Sequence, residues 1–251
     1  MKSLAQIKLE FMAASQEERK LLMNDLRSDS RAGVQKLIEK YEKEEQKYLL
    51  ELQRIDTMKY YEKQFADNLY ICGVDEVGRG PLAGPVVAGA VILDKNRDIL
   101  YLNDSKKLSE AKREELAAII KEQALSYQIG VMPPAVIDEV NILQATYKAM
   151  KNAVNGLAYT PEVLLNDAVV IPGLPMQQVK IIKGDAKSVS IAAASIIAKV
   201  ERDHMMMEYD KLYPEYGFAK NKGYGSAEHI AALKKYGPCP IHRTTFIKNF
   251  L

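Results

Sequence analysis

Residues 71–85 read ICGVDEVGRGPLAGP, and this stretch decides how the rest of the chain is interpreted. An apolar run typical of a buried strand ends in two adjacent carboxylates, Asp75 and Glu76, and a glycine-rich loop at 78–80 follows. Because neighbouring strand residues point to opposite faces, we expect Asp75 to end the strand and Glu76 to lie in the turn. Carboxylates gathered in one place need a compensating cation, and hard ions such as Mg²⁺ or Mn²⁺ prefer oxygen ligands. The stretch therefore predicts a metal site beside a binding loop.

The loop that holds Gly78, Arg79 and Gly80 is suited to contact a phosphate-bearing ligand. Its glycines let a ligand approach the main chain closely, and Arg79 offers a planar, permanently charged donor fork. A dinucleotide-binding fingerprint also begins with glycines after a strand, but it requires a helix to follow. Residues 85–93 read as a second strand instead, so that alternative fails and a substrate loop or a plain turn remains.

Composition limits the class of protein without deciding it. The 251 residues are 47% hydrophobic, enough for a sizeable core, and the net charge of +2 argues against very tight nonspecific binding to nucleic acid. Residues 211–251 are nevertheless locally basic and can neutralise phosphates. Two cysteines and three scattered histidines give no zinc-ligand spacing. With no secretory segment and no apolar run long enough to span a bilayer, we expect a cytoplasmic protein that does not enter membranes.

Residues 1–70 differ from the remainder because they are almost wholly helix-forming. Ser15 and Glu18 are spaced as a capping box at the start of one helix. From residue 34, mostly apolar side chains recur at alternating spacings of four and three residues, at Val34, Ile38, Tyr41, Glu45, Tyr48, Leu52 and Ile55. The pattern predicts a helical hairpin that packs on itself or on a partner. We expect residues 1–70 to assist substrate binding, with a protein-contact surface as the alternative.

Residues 71–251 alternate short apolar strands with helical patterns, which predicts an α/β catalytic domain. We expect strands that end near residue 75 and span 85–93, 99–102, 128–132, 162–167 and 179–182. We expect helices over 108–124, with Ser109 as N-cap, over 134–157, and over 190–212. The small residues 192–195 favour close packing of the last helix on the sheet.

Three carboxylates follow this pattern of strands, at the place where each strand ends. Asp75, Asp167 and Asp185 lie at or just after predicted strand ends, where open α/β sheets usually place their ligands. Taken singly, an aspartate in such a position is more often a turn or helix cap. Together with Glu76, the three can converge on one site.

In its ordered motifs the chain resembles the ribonuclease HII family over roughly residues 70–251. The motifs are Gly73-Val-Asp-Glu-Val-Gly-Arg-Gly-Pro-Leu-Ala-Gly-Pro85, Asp104-Ser-Lys-Lys-Leu108, Leu165-Asn-Asp167, Lys183-Gly-Asp-Ala-Lys-Ser188, Ala192-Ala-Ala-Ser-Ile-Ile-Ala-Lys-Val-Glu-Arg-Asp203 and Lys222-Gly-Tyr-Gly-Ser226. The related ribonuclease HIII family ends its acidic set with Glu and lacks the Gly-Arg-Gly loop. Asp185 and residues 78–80 therefore favour HII.

The resemblance implies a ribonuclease H-like mixed sheet flanked by helices, here with a helical N-terminal extension. It implies that Asp75, Glu76, Asp167 and Asp185 are catalytic and hold two Mn²⁺ or Mg²⁺ ions. The implied enzyme is an endonuclease that hydrolyses the RNA strand of RNA–DNA hybrids and incises duplex DNA on the 5′ side of embedded ribonucleotides. The implied products carry a 5′-phosphate and a 3′-hydroxyl.

Recognition of a ribonucleotide requires a group that senses the 2′-hydroxyl, and we expect Gly78, Arg79 and Gly80 to provide it. In the resembling family a tyrosine of the Lys-Gly-Tyr-Gly motif packs against the sugar that follows the ribonucleotide, which here is Tyr224. The remaining predicted substrate contacts are residues placed to meet phosphate oxygens. They are Ser105, Lys106, Lys107, Lys187 and Ser188.

Two other functions stay open at this stage. Another metal nuclease on the same kind of sheet would keep the four carboxylates without ribonucleotide selectivity. A noncatalytic hybrid-binding protein would need an incompetent acidic set, and the intact set argues against it. We expect a monomer whose partners are hybrid and ribonucleotide-containing duplexes, and no convincing short motif for a protein partner is present.

Overall fold

The computed structural model describes residues 2–251 and divides the chain into two compact units. The first unit ends at Arg54 and the second comprises Ile55–Leu251. This division falls earlier than the sequence-based boundary at residue 70, because Ile55 and Met58 belong to the apolar core of the second unit.

The first unit is built from helices. The helices that form it are α1 (Leu4–Ala13), α2 (Gln16–Leu26) and the first part of α3 (Ala32–Met58). The predicted capping box is confirmed, since Ser15 and Glu18 satisfy each other's backbone N–H groups at the start of α2. Phe11 and Tyr41 stack with ring centroids 4.5 Å apart in the core of this unit. The first part of the apolar repeat, Val34, Ile38 and Tyr41, therefore packs with residues of both α1 and α2, so the core of this unit has three helices rather than the two of a simple hairpin.

The second unit contains a mixed five-stranded sheet in the order β3-β2-β1-β4-β5. The strands are β1 (Ile71–Val77), β2 (Val86–Ile92), β3 (Ser126–Met132), β4 (Val163–Asp167) and β5 (Gln177–Ile181). β2 pairs antiparallel with β1 and β3, whereas β4 pairs parallel with β1 and β5. The parallel half brings the ends of β1, β4 and β5 to the same edge.

Helices cover both faces of this sheet, as the sequence predicted. The helices of the second unit are α4 (Tyr60–Gln64), α5 (Glu110–Gln123), α6 (Pro134–Val140), α7 (Ile142–Asn155), α8 (Val189–Leu212), α9 (Phe218–Asn221), α10 (Ala227–Tyr236) and α11 (Thr244–Ile247). α5 and α8 pack on one face and α6 and α7 on the other. Ser109 caps α5 as expected. No helix within residues 2–251 combines the length and apolar character required to cross a membrane.

Glycines in the strands let the helices approach the sheet closely. A Cβ on Gly73 would lie 2.0 Å from the carbonyl carbon of Ser190 in α8, and a Cβ on Gly130 would lie 1.9 Å from the carbonyl oxygen of Ala149 in α7. Residues 192–194 are fully buried in the same layer, which confirms the predicted packing of the small face of α8. The helix that follows Asp185 is thus held directly against the strand that carries Asp75.

Two details of the predicted strands are wrong. Residues 99–102 form no strand, because Tyr101 has a left-handed backbone (φ 67°) that interrupts an extended chain, although Ile99 and Leu102 still bury their side chains. β1 also does not end at Asp75. Its pairing with β4 stops at Val74, but pairing with β2 continues to Val77, so Glu76 belongs to the strand rather than to the turn.

Candidate active site

The four predicted catalytic carboxylates come from three places at one edge of the sheet. Asp75 and Glu76 lie in β1 just after its pairing with β4 stops at Val74, and Asp167 is the last residue of β4. Asp185 lies in a short 3-10 turn, Gly184–Ala186, between β5 and α8. Burial is the main cause that raises the pKa of Asp75, Glu76 and Asp185, and the negative charge of Asp167 raises each of them further, so the four groups lie within electrostatic range of one another.

Asp75 is buried on the face of β1 that meets α8. Its Oδ1 accepts the N–H of Glu76 at 2.7 Å, and its carboxylate is hydrogen-bonded by Ser195 of α8. Burial raises the pKa of the Asp75 carboxyl well above its ordinary range, and the charge of Glu76 raises it further. The ionised form of Asp75 is therefore unfavourable in the protein alone. This is expected of a metal ligand, because a bound cation would stabilise the carboxylate.

Glu76 is only partly compensated by its neighbours. Arg79 donates to Oε1 at 3.2 Å, while Oε2 is buried and has no hydrogen-bond partner within residues 2–251. Burial raises the pKa of this carboxyl, and the guanidinium of Arg79 opposes the shift. A buried carboxylate oxygen without a donor is costly, so Glu76 presents one open coordination position.

Asp167 and Asp185 are joined through the turn that carries Asp185. The Gly184 N–H donates to Oδ1 of Asp167 at 2.6 Å, which fixes the end of β4 against this turn. Burial raises the pKa of Asp185, and the charge of Asp104 adds to that shift ahead of the charge of Asp167. Asp104 is therefore a fifth carboxylate at the site.

The donor chemistry of this set fits divalent ions. No three His, Cys, Asp or Glu side chains of the described chain already stand in a metal-coordinating arrangement. Instead, Asp75, Glu76 and Asp167 each accept from internal donors, as like charges do when they separate. Hard carboxylate oxygens are nevertheless the ligands that Mg²⁺ and Mn²⁺ prefer, and the unpartnered Oε2 of Glu76 is available to one.

The loop beside these carboxylates is held by two fully buried arginines. Arg243 donates to the carbonyl oxygens of Gly78, Arg79 and Gly84 at 2.5, 2.9 and 3.0 Å. Burial lowers the pKa of its guanidinium to about 9. Arg202 donates to Pro85 and Ala83 from within α8. Because guanidinium groups satisfy the carbonyls from inside, the loop has a fixed path without regular secondary structure.

The same arrangement brings Tyr224 to the loop. Arg202 also donates to the carbonyl of Lys222 at 2.9 Å, and the Leu82 N–H donates to Gly223 O at 2.8 Å. A Cβ on Gly80 would lie 3.8 Å from Cε1 of Tyr224, and Tyr224 is 47% exposed. The structure thus places the predicted tyrosine next to the predicted ribose-sensing loop.

The remaining predicted contacts fall into two groups. Lys106, Lys107 and Lys187 are exposed, as phosphate contacts require. Ser105 and Ser188 are buried and already bonded: Ser105 Oγ lies 3.0 Å from Ser195 Oγ, and Ser188 caps α8 while it donates to Glu62 at 2.5 Å. The hydroxyls of these two serines therefore form hydrogen bonds within the protein beside the site rather than facing a substrate.

Sequence reasoning selected neither Asp104 nor Ser195 as a site residue. Asp104 begins the Asp-Ser-Lys-Lys motif and caps its 3-10 turn, so its place beside two lysines in a quoted motif was the available signal. The sequence indicates that Ser195 belongs to a face of small residues suited to close packing, and only the packing of α8 on β1 shows that its hydroxyl reaches Asp75.

Comparison with known proteins identifies the family of this chain. The family model described as Ribonuclease HII matches residues 72–249, and the model described as Ribonuclease HII N-terminal domain matches residues 3–66. Ribonuclease HII of Lachnoclostridium phytofermentans is 61% identical over 88% of this chain and 87% of its own length. That of Clostridioides difficile is 54% identical over 90% of this chain and 89% of its own length.

Solved structures agree on the fold. The ribonuclease H2 from Pyrococcus horikoshii superposes with a TM-score of 0.60 at 32% identity and covers 70% of this chain and 93% of its own. The ribonuclease HII from Archaeoglobus fulgidus, solved in complex with PCNA, gives 0.60 at 27% identity over 72% of this chain and 96% of its own. The fold is that of a ribonuclease H-like protein, and the relatives indicate a divalent-metal-dependent endoribonuclease. The chain belongs to the ribonuclease HII family, which degrades RNA in RNA–DNA hybrids.

Proposed function

We propose that this protein hydrolyses the RNA strand of RNA–DNA hybrids and incises duplex DNA on the 5′ side of single embedded ribonucleotides. The observation that carries the proposal is the proximity of two groups of residues. Four carboxylates lie within electrostatic range of one another at one edge of the sheet, and the 78–80 loop that follows Glu76 approaches the exposed Tyr224. Cleavage and sugar recognition can therefore occur on neighbouring nucleotides.

In this proposal Asp75, Glu76, Asp167 and Asp185 hold two divalent ions, Mg²⁺ or Mn²⁺. The chemistry supplied by bound ions is activation of a water for in-line attack and stabilisation of the leaving 3′ oxygen. Ser195 keeps the Asp75 carboxylate oriented, and the Gly184 N–H keeps that of Asp167 in place. The scissile phosphate is held beside these groups by binding of its neighbours, which reduces the entropy cost of attack.

The main chain at 78–80 is proposed to read the 2′-hydroxyl, because this hydroxyl both donates and accepts hydrogen bonds. The fixed path that Arg243 gives to Gly78 and Arg79 allows the backbone to discriminate without moving. Tyr224 is proposed to lie against the next sugar, where a 2′-hydroxyl would interfere. Lys106, Lys107 and Lys187 are proposed to contact phosphates of the flanking duplex.

The direct test of the proposed reaction is the chemistry of its products. A labelled RNA–DNA hybrid incubated with Mg²⁺ or Mn²⁺ should yield fragments with 5′-phosphate and 3′-hydroxyl ends. Single-stranded RNA and all-DNA duplex of the same sequence should stay intact. Cleavage of all-DNA duplex at a comparable rate would instead support a general metal nuclease.

Tyr224→Ala is expected to weaken selectivity at a junction between a ribonucleotide and a deoxyribonucleotide. Loss of the contact between the ring and this sugar is expected to cost about 1.4 kcal/mol, so the ratio of kcat/KM for a junction substrate to that for a continuous ribonucleotide run should fall by about tenfold. Because the ring is half exposed, the melting temperature should change little.

Tyr236→Ala provides a matched control for this variant, since Tyr236 is also an exposed tyrosine of the C-terminal region, 52% accessible at the end of α10. It should leave the ratio unchanged. An unchanged ratio in Tyr224→Ala would remove Tyr224 from the proposal.

We propose that the protein is a cytoplasmic monomer. Both cysteines are free thiols, which fits the reducing cytoplasm, and a monomer that acts on hybrid or ribonucleotide-containing DNA satisfies all the proposed contacts. We propose that the N-terminal helices assist substrate binding rather than chemistry, because all four carboxylates lie in the second unit.

A further inference from the structure

Two buried histidines form a chain of hydrogen bonds that ends on the main chain of Tyr224. His229 of α10 and His242 are 0% and 3% exposed. Nδ1 of His229 lies 2.8 Å from the Tyr224 carbonyl oxygen, and the two Nε2 atoms lie 3.0 Å apart. At the far end, Nδ1 of His242 lies 3.0 Å from the Cys239 N–H.

The positions of the protons in this chain follow from its fixed end. The Cys239 N–H can only donate, so Nδ1 of His242 accepts and the proton of a neutral His242 is on Nε2. That proton is donated to Nε2 of His229, which places the His229 proton on Nδ1. His229 therefore donates to the carbonyl of Tyr224. Each of the two imidazoles is restricted to one tautomer.

The surroundings favour neutral imidazoles. The rings of Tyr216 and Phe218 pack against both histidines, with centroid distances between 4.8 and 6.2 Å. Burial lowers the pKa of His229, and burial with the neighbouring His229 lowers the pKa of His242 to about 4. A second proton on His229 would place N–H groups on both facing Nε2 atoms. A second proton on His242 would point its Nδ1–H at the Cys239 N–H.

The peptide that His229 holds is the one that determines the direction of the Tyr224 ring. The Tyr224 carbonyl also accepts from Ser226 N at 2.8 Å, and Gly223, with φ +85°, has no room for a Cβ because Ala83 O would be 2.3 Å away. Because the main chain is restricted at both Gly223 and Ser226, the orientation of the Tyr224 carbonyl determines the position of the Tyr224 ring beside Gly80.

We infer that His229 is a positioning residue for Tyr224, and that His242 sets the tautomer through which it acts. The inference rests on the proposed function, because the position of Tyr224 affects catalysis only if this ring reads the sugar. Neither histidine contacts the carboxylates, so the expected effect is on substrate selectivity rather than on the chemical step.

The first test compares two substitutions at residue 229. In His229→Asn the side-chain amide N–H can occupy the place of Nδ1 and keep the bond to the Tyr224 carbonyl, whereas His229→Phe keeps the ring and removes the donor. Loss of one hydrogen bond predicts a fall of about fivefold in the junction selectivity ratio for His229→Phe, with the ratio retained in His229→Asn. Equal ratios in the two variants would overturn the inference.

His204→Phe is the matched control, because His204 is exposed and pairs with Glu114 on another part of the second unit. Its ratio should equal that of the wild type. A double variant, His229→Phe with Tyr224→Ala, should show the ratio of Tyr224→Ala alone. The reason is that the chain of hydrogen bonds from His242 through His229, called the relay below, acts only through Tyr224. A further fall in the double variant would contradict the relay.

A measurement without substrate tests the relay independently of the activity. Long-range ¹H–¹⁵N NMR of the imidazoles in the intact protein at pH 7 should show His229 protonated on Nδ1 and His242 on Nε2. Protonation of both on Nε2 would overturn the inference. If the wild type lacked ribonucleotide selectivity the proposed function would fail, and this spectrum would still decide whether the relay exists.

Discussion

Asp75→Asn is expected to abolish cleavage, with a loss of at least about a thousandfold in kcat, while the protein remains folded. Bound divalent ions supply several kcal/mol of charge stabilisation in such reactions, and the amide removes both a negative charge and a ligand oxygen from their site. The measurement is single-turnover cleavage of an RNA–DNA hybrid with Mg²⁺ and with Mn²⁺. Turnover within tenfold of the wild type would remove Asp75 from the metal site.

Thermal denaturation separates loss of the site from loss of the fold. A carboxyl whose folded pKa is raised opposes folding as pH rises above its unfolded pKa, so neutral Asn at position 75 should leave the melting temperature at pH 7.5 unchanged or higher without metal. Added Mn²⁺ should stabilise the wild type but stabilise the variant less. Asp67→Asn, at an exposed position, is the control and should behave as the wild type in both respects.

Gly73→Ala is expected to unfold or severely destabilise the second unit. Its Cβ would lie 2.0 Å from the Ser190 carbonyl carbon and 2.4 Å from the Ile191 nitrogen, and these backbone atoms at the start of α8 cannot rotate away as a side chain can. Separation of α8 from β1 loses buried contacts along the whole interface, which predicts a cost of at least about 3 kcal/mol. The free energy of unfolding from urea titration measures this cost.

Gly80→Ala is the matched control for that substitution. Gly80 has no positive φ, and its added Cβ would meet only Cε1 of Tyr224, at 3.8 Å, which is ordinary contact. The free energy of unfolding should stay within about 0.5 kcal/mol of the wild type. Equal stability of the two variants would show that α8 does not depend on its close approach at Gly73.

Most of the sheet could be predicted because its strands have strong local signals. Apolar runs bounded by glycine, proline or aspartate identified β1, β2 and β4 within a few residues. Residues 99–102 have the same apolar character, but the positive φ of Tyr101 is a tertiary outcome that composition does not reveal. Likewise, β1 pairs with β2 to Val77 but with β4 only to Val74. The end of β1 therefore depends on its partner strand, and the sequence of β1 alone does not encode it.

The candidate site was predictable where each residue carries its own signal. The four carboxylates lie at or near the ends of apolar strand patterns and within recognisable motifs, so they could be chosen from the sequence. The support of the loop could not, because Arg243 reaches Gly78 across 165 positions and Arg202 reaches Pro85 across 117. Arginines are mostly exposed in proteins, and although the motif that contains Arg202 suggests a supporting role, only the fold shows that both arginines are fully buried and which carbonyls they reach.

The position of the cut in duplex DNA that contains one ribonucleotide shows whether a single site both cleaves the strand and recognises the sugar. The wild-type protein should incise on the 5′ side of that ribonucleotide with Mg²⁺ or Mn²⁺, leave an all-DNA duplex intact, and lose the cut in Asp75→Asn. Binding without incision, or incision that ignores the ribonucleotide, would contradict the assignment of one site that both cleaves and reads the sugar.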